Sequence, residues 1–258
     1  MSDRKRFEGR TVLVTGASSG IGRATARALA REGAHVALGG RRRDRLDEVA
    51  AEVARAGTRP LVLEGDVREE AVCARWVADC DAAFGGLDGL VNAAGVIGNG
   101  AVDATEPAEW DRIMDSNARS LWLMTRAATE ALKRKRGAVV NLSSVAGTRP
   151  YAGLMAYCVS KAAVDMITQC AALDMAPFGV RVNAVNPGVV VTELHTVTNA
   201  VADYPAFLER GRTTHPLGRV GQADEVAALI LWLLSEEAAW VTGACMPIDG
   251  GRALASAR

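Results

Sequence analysis

The 258-residue sequence predicts an α/β fold, a doubly wound parallel sheet with helices on both faces. Three observations carry the prediction. Apolar runs of four to six residues, bounded by Gly, Pro or charge, recur from end to end. They are continuously apolar rather than alternating, as strands covered on both faces are. Longer helical stretches separate them, which is the pattern of parallel βαβ crossovers.

Thr11–Val14 (TVLV) is the first such strand, and a glycine-rich turn then leads into a helix over Gly22–Glu32. His35–Leu38 and Arg41–Ala56 are the next strand and helix. Arg59–Leu63, Leu87–Val91, Ala138–Leu142 and Val180–Asn183 continue the strand series, and Cys245–Ile248 closes it. Helices over Glu69–Phe84, Pro107–Lys135, Ala156–Ala176 and Ala223–Leu234 fill the gaps. Lys133–Arg136 (KRKR) reads as a solvated helix end beside the negative end of the dipole. No linker, repeat or low-complexity tract interrupts the series, so residues 1–258 are expected to form one domain.

Composition narrows the function. Hydrophobic residues make up 49% of the chain, enough for a sizeable core, which excludes disorder. Thirty basic and thirty acidic side chains cancel, which argues against a nucleic-acid partner. The longest uncharged stretch, Gly89–Val102, has 14 residues with two Asn and four Gly, short of the roughly 20 apolar residues of a membrane span. Met1–Arg10 is charged and lacks the apolar run of a secretory signal. Five cysteines without a CxxC spacing suggest neither a disulfide framework nor a metal site, so a reducing cytoplasm is expected.

The chemistry begins at the first strand–helix junction, Thr15-Gly16-Ala17-Ser18-Ser19-Gly20-Ile21-Gly22. Glycines there allow a tight turn and a close approach of backbone N–H groups to a pyrophosphate, at the positive end of a helix. Tyr157 and Lys161 lie four apart on a predicted helix and share one face. A free phenol, with a pKa near 10, is a poor acid or base at neutral pH, and a nearby ammonium lowers it. Lys161 is one of only four lysines beside 26 arginines, so a compact point charge is favoured at this position. Ser144 follows an apolar strand, at the carboxyl edge where ligands bind in such sheets, and can donate to a carbonyl oxygen as charge develops there. Ser143 is its neighbouring competitor and reads as a turn residue. A nucleophilic triad is disfavoured, because His35, His195 and His215 sit in no matching context; His35, inside a strand, reads as a satisfied structural residue.

TGASSGIG near the N-terminus, NAAG at Asn92–Gly95, Asn117 in a helix, Ser144, YCVSK at Tyr157–Lys161 and Pro187-Gly188 follow one another in order, with Ser144 and Tyr157 thirteen residues apart. This set resembles the short-chain dehydrogenase/reductase family, in its 3-oxoacyl-(acyl carrier protein) reductase-like branch. Ala93 stands where a second Asn is frequent. The resemblance implies a Rossmann-type sheet with a substrate lid at about residues 188–217. It implies hydride transfer between a nicotinamide cofactor and a carbonyl/alcohol carbon, with Tyr157 as general acid/base, Ser144 polarising the oxygen and Lys161 tuning Tyr157. Asn117 would hold a water between Lys161 and bulk solvent. Gly16, Ser18, Ser19, Gly20, Ile21, Gly22, Asp66, Val67, Asn92, Ala93, Gly95, Pro187, Gly188, Val190 and Thr192 would join Tyr157 and Lys161 around the cofactor, Asp66 at adenine. A homotetramer built on the helices over 107–135 and 156–176 is also implied, with no metal.

The second strand ends in Gly40, where an acid usually binds the ribose of NAD, and Arg41 follows at once. A guanidinium suits a phosphate, which favours NADP. Val96, Ile97, Tyr151, Leu154 and Met155 flank the motifs and read equally as lining of an apolar substrate pocket or as core. The substrate is expected to be a small carbonyl or alcohol compound. A lyase or epimerase on the same fold, or a catalytically idle dinucleotide-binding regulator, are the alternatives.

Overall fold

The computed structural model describes residues 5–197, 201 and 203–255. Its centre is a seven-stranded, wholly parallel sheet in the order β3-β2-β1-β4-β5-β6-β9. Its first five crossovers run through β1 (Thr11–Thr15), α1 (Gly20–Arg31), β2 (His35–Gly40), α2 (Arg43–Arg55), β3 (Pro60–Glu64), α3 (Glu70–Phe84), β4 (Gly89–Asn92), α4 (Pro107–Met114), α5 (Ser120–Lys135), β5 (Ala138–Leu142), α6 (Met155–Met175) and β6 (Arg181–Pro187). A small excursion follows, comprising β7 (Val190–Val191), α7 (Leu194–Val197), α8 (Tyr204–Thr214) and β8 (Gly221–Gln222), before α9 (Ala223–Leu234) and β9 (Cys245–Ile248).

The strands are apolar on both faces because both faces are covered. Within β1, Val12 and Val14 join Leu29, Val36, Leu38 and Ile230 in one core layer. Leu13, between them, points the other way and packs with Trp76, Leu90, Met124 and Val139. The strand order reverses between β1 and β4, so the loops at their carboxyl ends diverge and leave a crevice between them.

Two elements depart from the sequence reading. The helix expected over 107–135 is broken by a wide π turn at Asp115–Arg119, with α4 before it and α5 after it. The lid expected at 188–217 begins with β7, paired in parallel with β8, a two-residue contact too short to show as an apolar run. Residues 198–200 and 202 of that lid, and the side chain of His195, lie outside the described residues.

His215, at the end of α8, is buried and latches the lid. Its Nδ1 meets the Gly211 carbonyl at 2.6 Å and its Nε2 accepts from the Val189 N–H at 3.1 Å, a pairing that requires the neutral ring with the proton on Nδ1. Burial holds its pKa below the ordinary histidine value. His35 corrects the reading of a satisfied residue. Its ring stacks on Phe84 at 5.0 Å between centroids, but its buried Nδ1 has no hydrogen-bond partner among the described residues.

Candidate active site

The glycine-rich turn forms one wall of the crevice. Gly16 has φ +64, and a Cβ there would stand 2.8 Å from the backbone of Ala94. A Cβ on Gly22 would stand 2.3 Å from the Gly16 carbonyl oxygen. The turn is thus pressed against the β4 loop and against its own helix, a fit that only hydrogen side chains permit. Thr15 Oγ1 accepts from the N–H groups of Ala93 and Ala94, both at 3.1 Å, and fixes the two loops together. Ser19 precedes α1 without a side-chain cap, so the first amides of the helix are left for a ligand. The cavity over this turn has a volume of ≈ 280 Å³ and is lined by Gly16, Ser18, Ser19, Gly20, Ile21 and Gly22, with Asp66, Val67, Ala93, Gly95 and Thr192 further along. Backbone cradle and free helix terminus together fit a dinucleotide pyrophosphate.

Three arginines also line that cavity. Arg41, the one expected, is two-thirds exposed and lies 4.0 Å from Asp66. Arg42 reaches the turn itself and donates to both Ser18 Oγ and Ser19 Oγ at 3.1 Å. Arg68 grips Asp66 through two nitrogens and its own backbone N–H, holding that carboxylate below its usual pKa. The sequence reading missed Arg42 and Arg68. Arg42 stands in the Arg41–Arg43 run, and α2 begins only at Arg43, so Arg41 and Arg42 lie in the loop before the helix.

A second cavity, ≈ 510 Å³, opens beside the first. Ile21, Ala93, Gly95, Val96, Leu142, Thr192 and Leu194 line both. Ser144, Tyr157 and Lys161 line the second, together with Tyr151, Leu154, Pro187, Gly188 and Val190. Met155, expected in this pocket, does not line it; it opens α6 one residue beyond Leu154. Ile97 lines it as well and packs with Tyr157 and Ala146. Asn92, expected beside the cofactor, lines neither cavity. Its amide donates instead to Thr125 Oγ1 at 3.0 Å and Asn141 Oδ1 at 2.9 Å, in a buried network that Asn141 extends to Thr168.

Ser144 caps a short 3-10 turn and accepts from the Ala146 N–H at 3.1 Å. Its hydroxyl lies close enough to the Tyr157 phenol to draw that group's pKa downward. Ser143 takes the structural part, donating to the Lys161 carbonyl at 3.2 Å. Burial pushes the Tyr157 phenol up to about 12, against a smaller downward pull from Ser144. Lys161 is 5% exposed, and burial pushes its ammonium down to about 8. The ammonium sits 5.8 Å from the centre of the Tyr157 ring and donates to the Leu142 carbonyl at 2.8 Å. Burial thus acts on the two groups in opposite directions, favouring the neutral form of each.

Asn117 sits within the π turn and is 1% exposed. Its Oδ1 accepts from the Val96 N–H at 2.8 Å, and its Nδ2 donates to the Val96 carbonyl and to Ser160 Oγ, both at 2.9 Å. Ser160 Oγ in turn donates to the Tyr157 carbonyl at 2.8 Å. The side chain is thus engaged on both ends by protein, and it clamps the β4 loop onto α6 beneath Tyr157. A Cβ on Gly95 would stand 3.1 Å from Asn117 Oδ1 and 3.7 Å from Lys161 Nζ, so both groups close on the loop at that glycine.

Fold and site together define a nucleotide-binding α/β oxidoreductase. Residues 16–253 match the family described as enoyl-(acyl carrier protein) reductase. The chain is 38% identical over 250 residues to cyclopentanol dehydrogenase of a Comamonas species, covering 95% of this chain and 98% of that protein. It is 34% identical to a 3-oxoacyl-[acyl-carrier-protein] reductase of Staphylococcus aureus, covering 94% and 97%. A crystal structure of a short-chain type dehydrogenase/reductase from Mycobacterium marinum superposes with a TM-score of 0.90 at 33% identity, covering 97% and 98%. The chain belongs to the short-chain dehydrogenase/reductase family and is an enzyme of its alcohol- and carbonyl-converting class.

Proposed function

We propose that this enzyme interconverts a small secondary alcohol and its ketone with NADP(H), using Tyr157 as the proton donor or acceptor. One observation carries the reading: the glycine cradle and the Ser144–Tyr157–Lys161 cavity share a wall, so a nucleotide laid along the first reaches into the second. The bound cofactor supplies or accepts hydride. Burial keeps the phenol protonated, so Tyr157 is set to donate to a carbonyl oxygen in the reductive direction. Ser144 donates a second hydrogen bond to the same oxygen and stabilises the charge that develops there. Lys161, pushed down to about 8, stays largely protonated at neutral pH but holds its proton less firmly than a free lysine, and is suited to resupply the phenol. Asn117 is a positioning residue that holds the loop bearing Val96 against the helix bearing Tyr157.

NADP over NAD is supported by Arg41, Arg42 and Arg68 at the mouth of the cradle and by Gly40 in place of an acid. Small cyclic alcohols are favoured as a first substrate set by the likeness to cyclopentanol dehydrogenase and by the largely apolar second cavity. A homotetramer, or at least a dimer, is supported by apolar side chains left exposed on α5 and α6: Trp122 at 46%, Met166 at 58% and Leu173 at 78%. The five unpaired cysteines favour a reducing cytoplasm. The reading is tested by following NADPH and NADH absorbance with a panel of cyclic and open-chain ketones and alcohols. Absence of turnover across the panel with either cofactor would refute it, and light scattering at the 27.1 kDa chain mass would refute the assembly.

A further inference from the structure

The second cavity carries a charge imbalance that hydride chemistry on a neutral ketone does not use. Two cationic side chains line it, Lys161 and Arg252, and no carboxylate does among the described residues. Lys161 is engaged by the Leu142 carbonyl beside Tyr157. Arg252 comes from the turn after β9 and lines the same cavity, against Tyr151 and the end of α8. Its Nε donates to the Tyr151 hydroxyl at 3.2 Å and its Nη1 to Thr214 Oγ1 at 2.7 Å. Its guanidinium also lies 5.2 Å from the centre of the Tyr151 ring. These partners are neutral, so nothing in them cancels the charge. Asp249, the nearest acid along the chain, turns its carboxylate to the N–H groups of Gly251 and Ala253 instead.

The location of this cation sets what it meets. Tyr151 packs in the same apolar cluster as Tyr157, Ile97 and Leu154, so the ring under Arg252 and the reacting phenol belong to one pocket. A guanidinium held by its Nε and one Nη still presents donors in a planar fork, the shape that pairs with a carboxylate. In a cavity with largely apolar walls, such a pair is stronger than at an exposed surface.

We infer that Arg252 recognises an anionic group, a carboxylate in the first instance, on the substrate at the end remote from the reacting carbon, so that the enzyme prefers keto acids or hydroxy acids to their neutral counterparts. The inference deepens the oxidoreductase reading and takes its substrate pocket from it.

The probes are an oxocyclohexane carboxylate and its methyl ester, which share a ring and differ in charge. Each is titrated calorimetrically into the full chain, and kcat/KM is measured separately with NADPH. The carboxylate is expected to bind roughly 10–150-fold more tightly than the ester. Arg252→Met is expected to abolish that preference, and Arg42→Met, at the other cavity, to keep it. A wild type without preference, or a preference that survives Arg252→Met, overturns the inference. If circular dichroism shows Arg252→Met to be unfolded, Arg252→Lys decides. It keeps the charge and loses the fork, and is expected to retain a weakened preference; an undiminished preference overturns the assignment. Binding of the carboxylate without turnover would refute the oxidoreductase reading and leave the Arg252 assignment standing. Equal binding and equal turnover of ester and carboxylate would do the reverse.

Discussion

Replacing Gly16 with Ala separates the two demands that the phosphate turn makes on one residue. The first is conformational: φ +64 lies in the left-handed region, where an L side chain costs about 1 kcal/mol. The second is steric. The new methyl would stand 2.8 Å from Ala94 N and Cα and 2.9 Å from the Ala93 carbonyl carbon, all backbone. That backbone cannot retreat freely, because Thr15 holds the N–H groups of Ala93 and Ala94, and Asn117 holds Val96 two residues on. Crowding of a packed site costs about 1–3 kcal/mol, so the total is about 2–4 kcal/mol. Gly57 supplies the control. It has φ +85 with nothing within 4 Å of a built Cβ, so Gly57→Ala bears the conformational term alone, about 1 kcal/mol. Urea unfolding of both variants at one pH measures the difference, provided the denaturant slopes agree with wild type. Gly16→Ala should also lose dinucleotide affinity, and Gly57→Ala, in the turn between α2 and β3, should keep it. Equal destabilisation of the two variants would show that the turn is not pressed against the β4 loop as described.

Tyr157→Phe should lower turnover by about 10²–10⁴-fold while NADP binding persists; a residual rate above a tenth of wild type would remove the phenol from the reaction. Arg41→Ala and Arg42→Ala should each weaken NADP binding more than NAD binding. Arg42→Ala should have the larger effect, because Arg42 alone of the two reaches Ser18 and Ser19; equal losses for both cofactors, measured by fluorescence titration, would reduce these arginines to surface charges. Burial lowers the Lys161 pKa from 10.5 to about 8, so between those values the unfolded chain holds a proton that the folded chain has released. Stability from this group therefore rises with pH across that window, by about 3 kcal/mol in all, and Lys161→Met should remove the rise; unchanged curves of stability against pH would refute the buried ammonium.

Much of this molecule was legible in its residues. The strands were readable because both faces are buried, which leaves an unbroken apolar run in each. The order of Gly16, Ser144, Tyr157 and Lys161 along the chain foretold which side chains share the crevice, since each lies at a strand end or in the helix after one. What was hidden depended on contacts between distant segments. Asn92 looked like a ligand residue, but its direction is set by Thr125 and Asn141, 33 and 49 residues away. Arg252 carried no local signal, because its surroundings are made by Tyr151 and Thr214, 101 and 38 residues distant.

The π turn at Asp115–Arg119 makes this part of the chain sensitive to its own length. Each residue of a regular helix advances the side chain by about 100°, and a π turn holds one residue more than its α equivalent. Ile113 of α4 and the buried stripe Leu121, Met124, Ala128 and Leu132 of α5 are thus in register with their neighbours only because the extra residue takes up the offset. Deleting one residue from the turn would restore a continuous helix and rotate one side of it by about 100° relative to the other. Either Asn117 would leave the Val96 loop or the α5 stripe would leave the core. Point changes here alter the contacts of one side chain, whereas a single-codon deletion reassigns a whole helical face. Homologous chains should accordingly keep the residue count of this turn fixed.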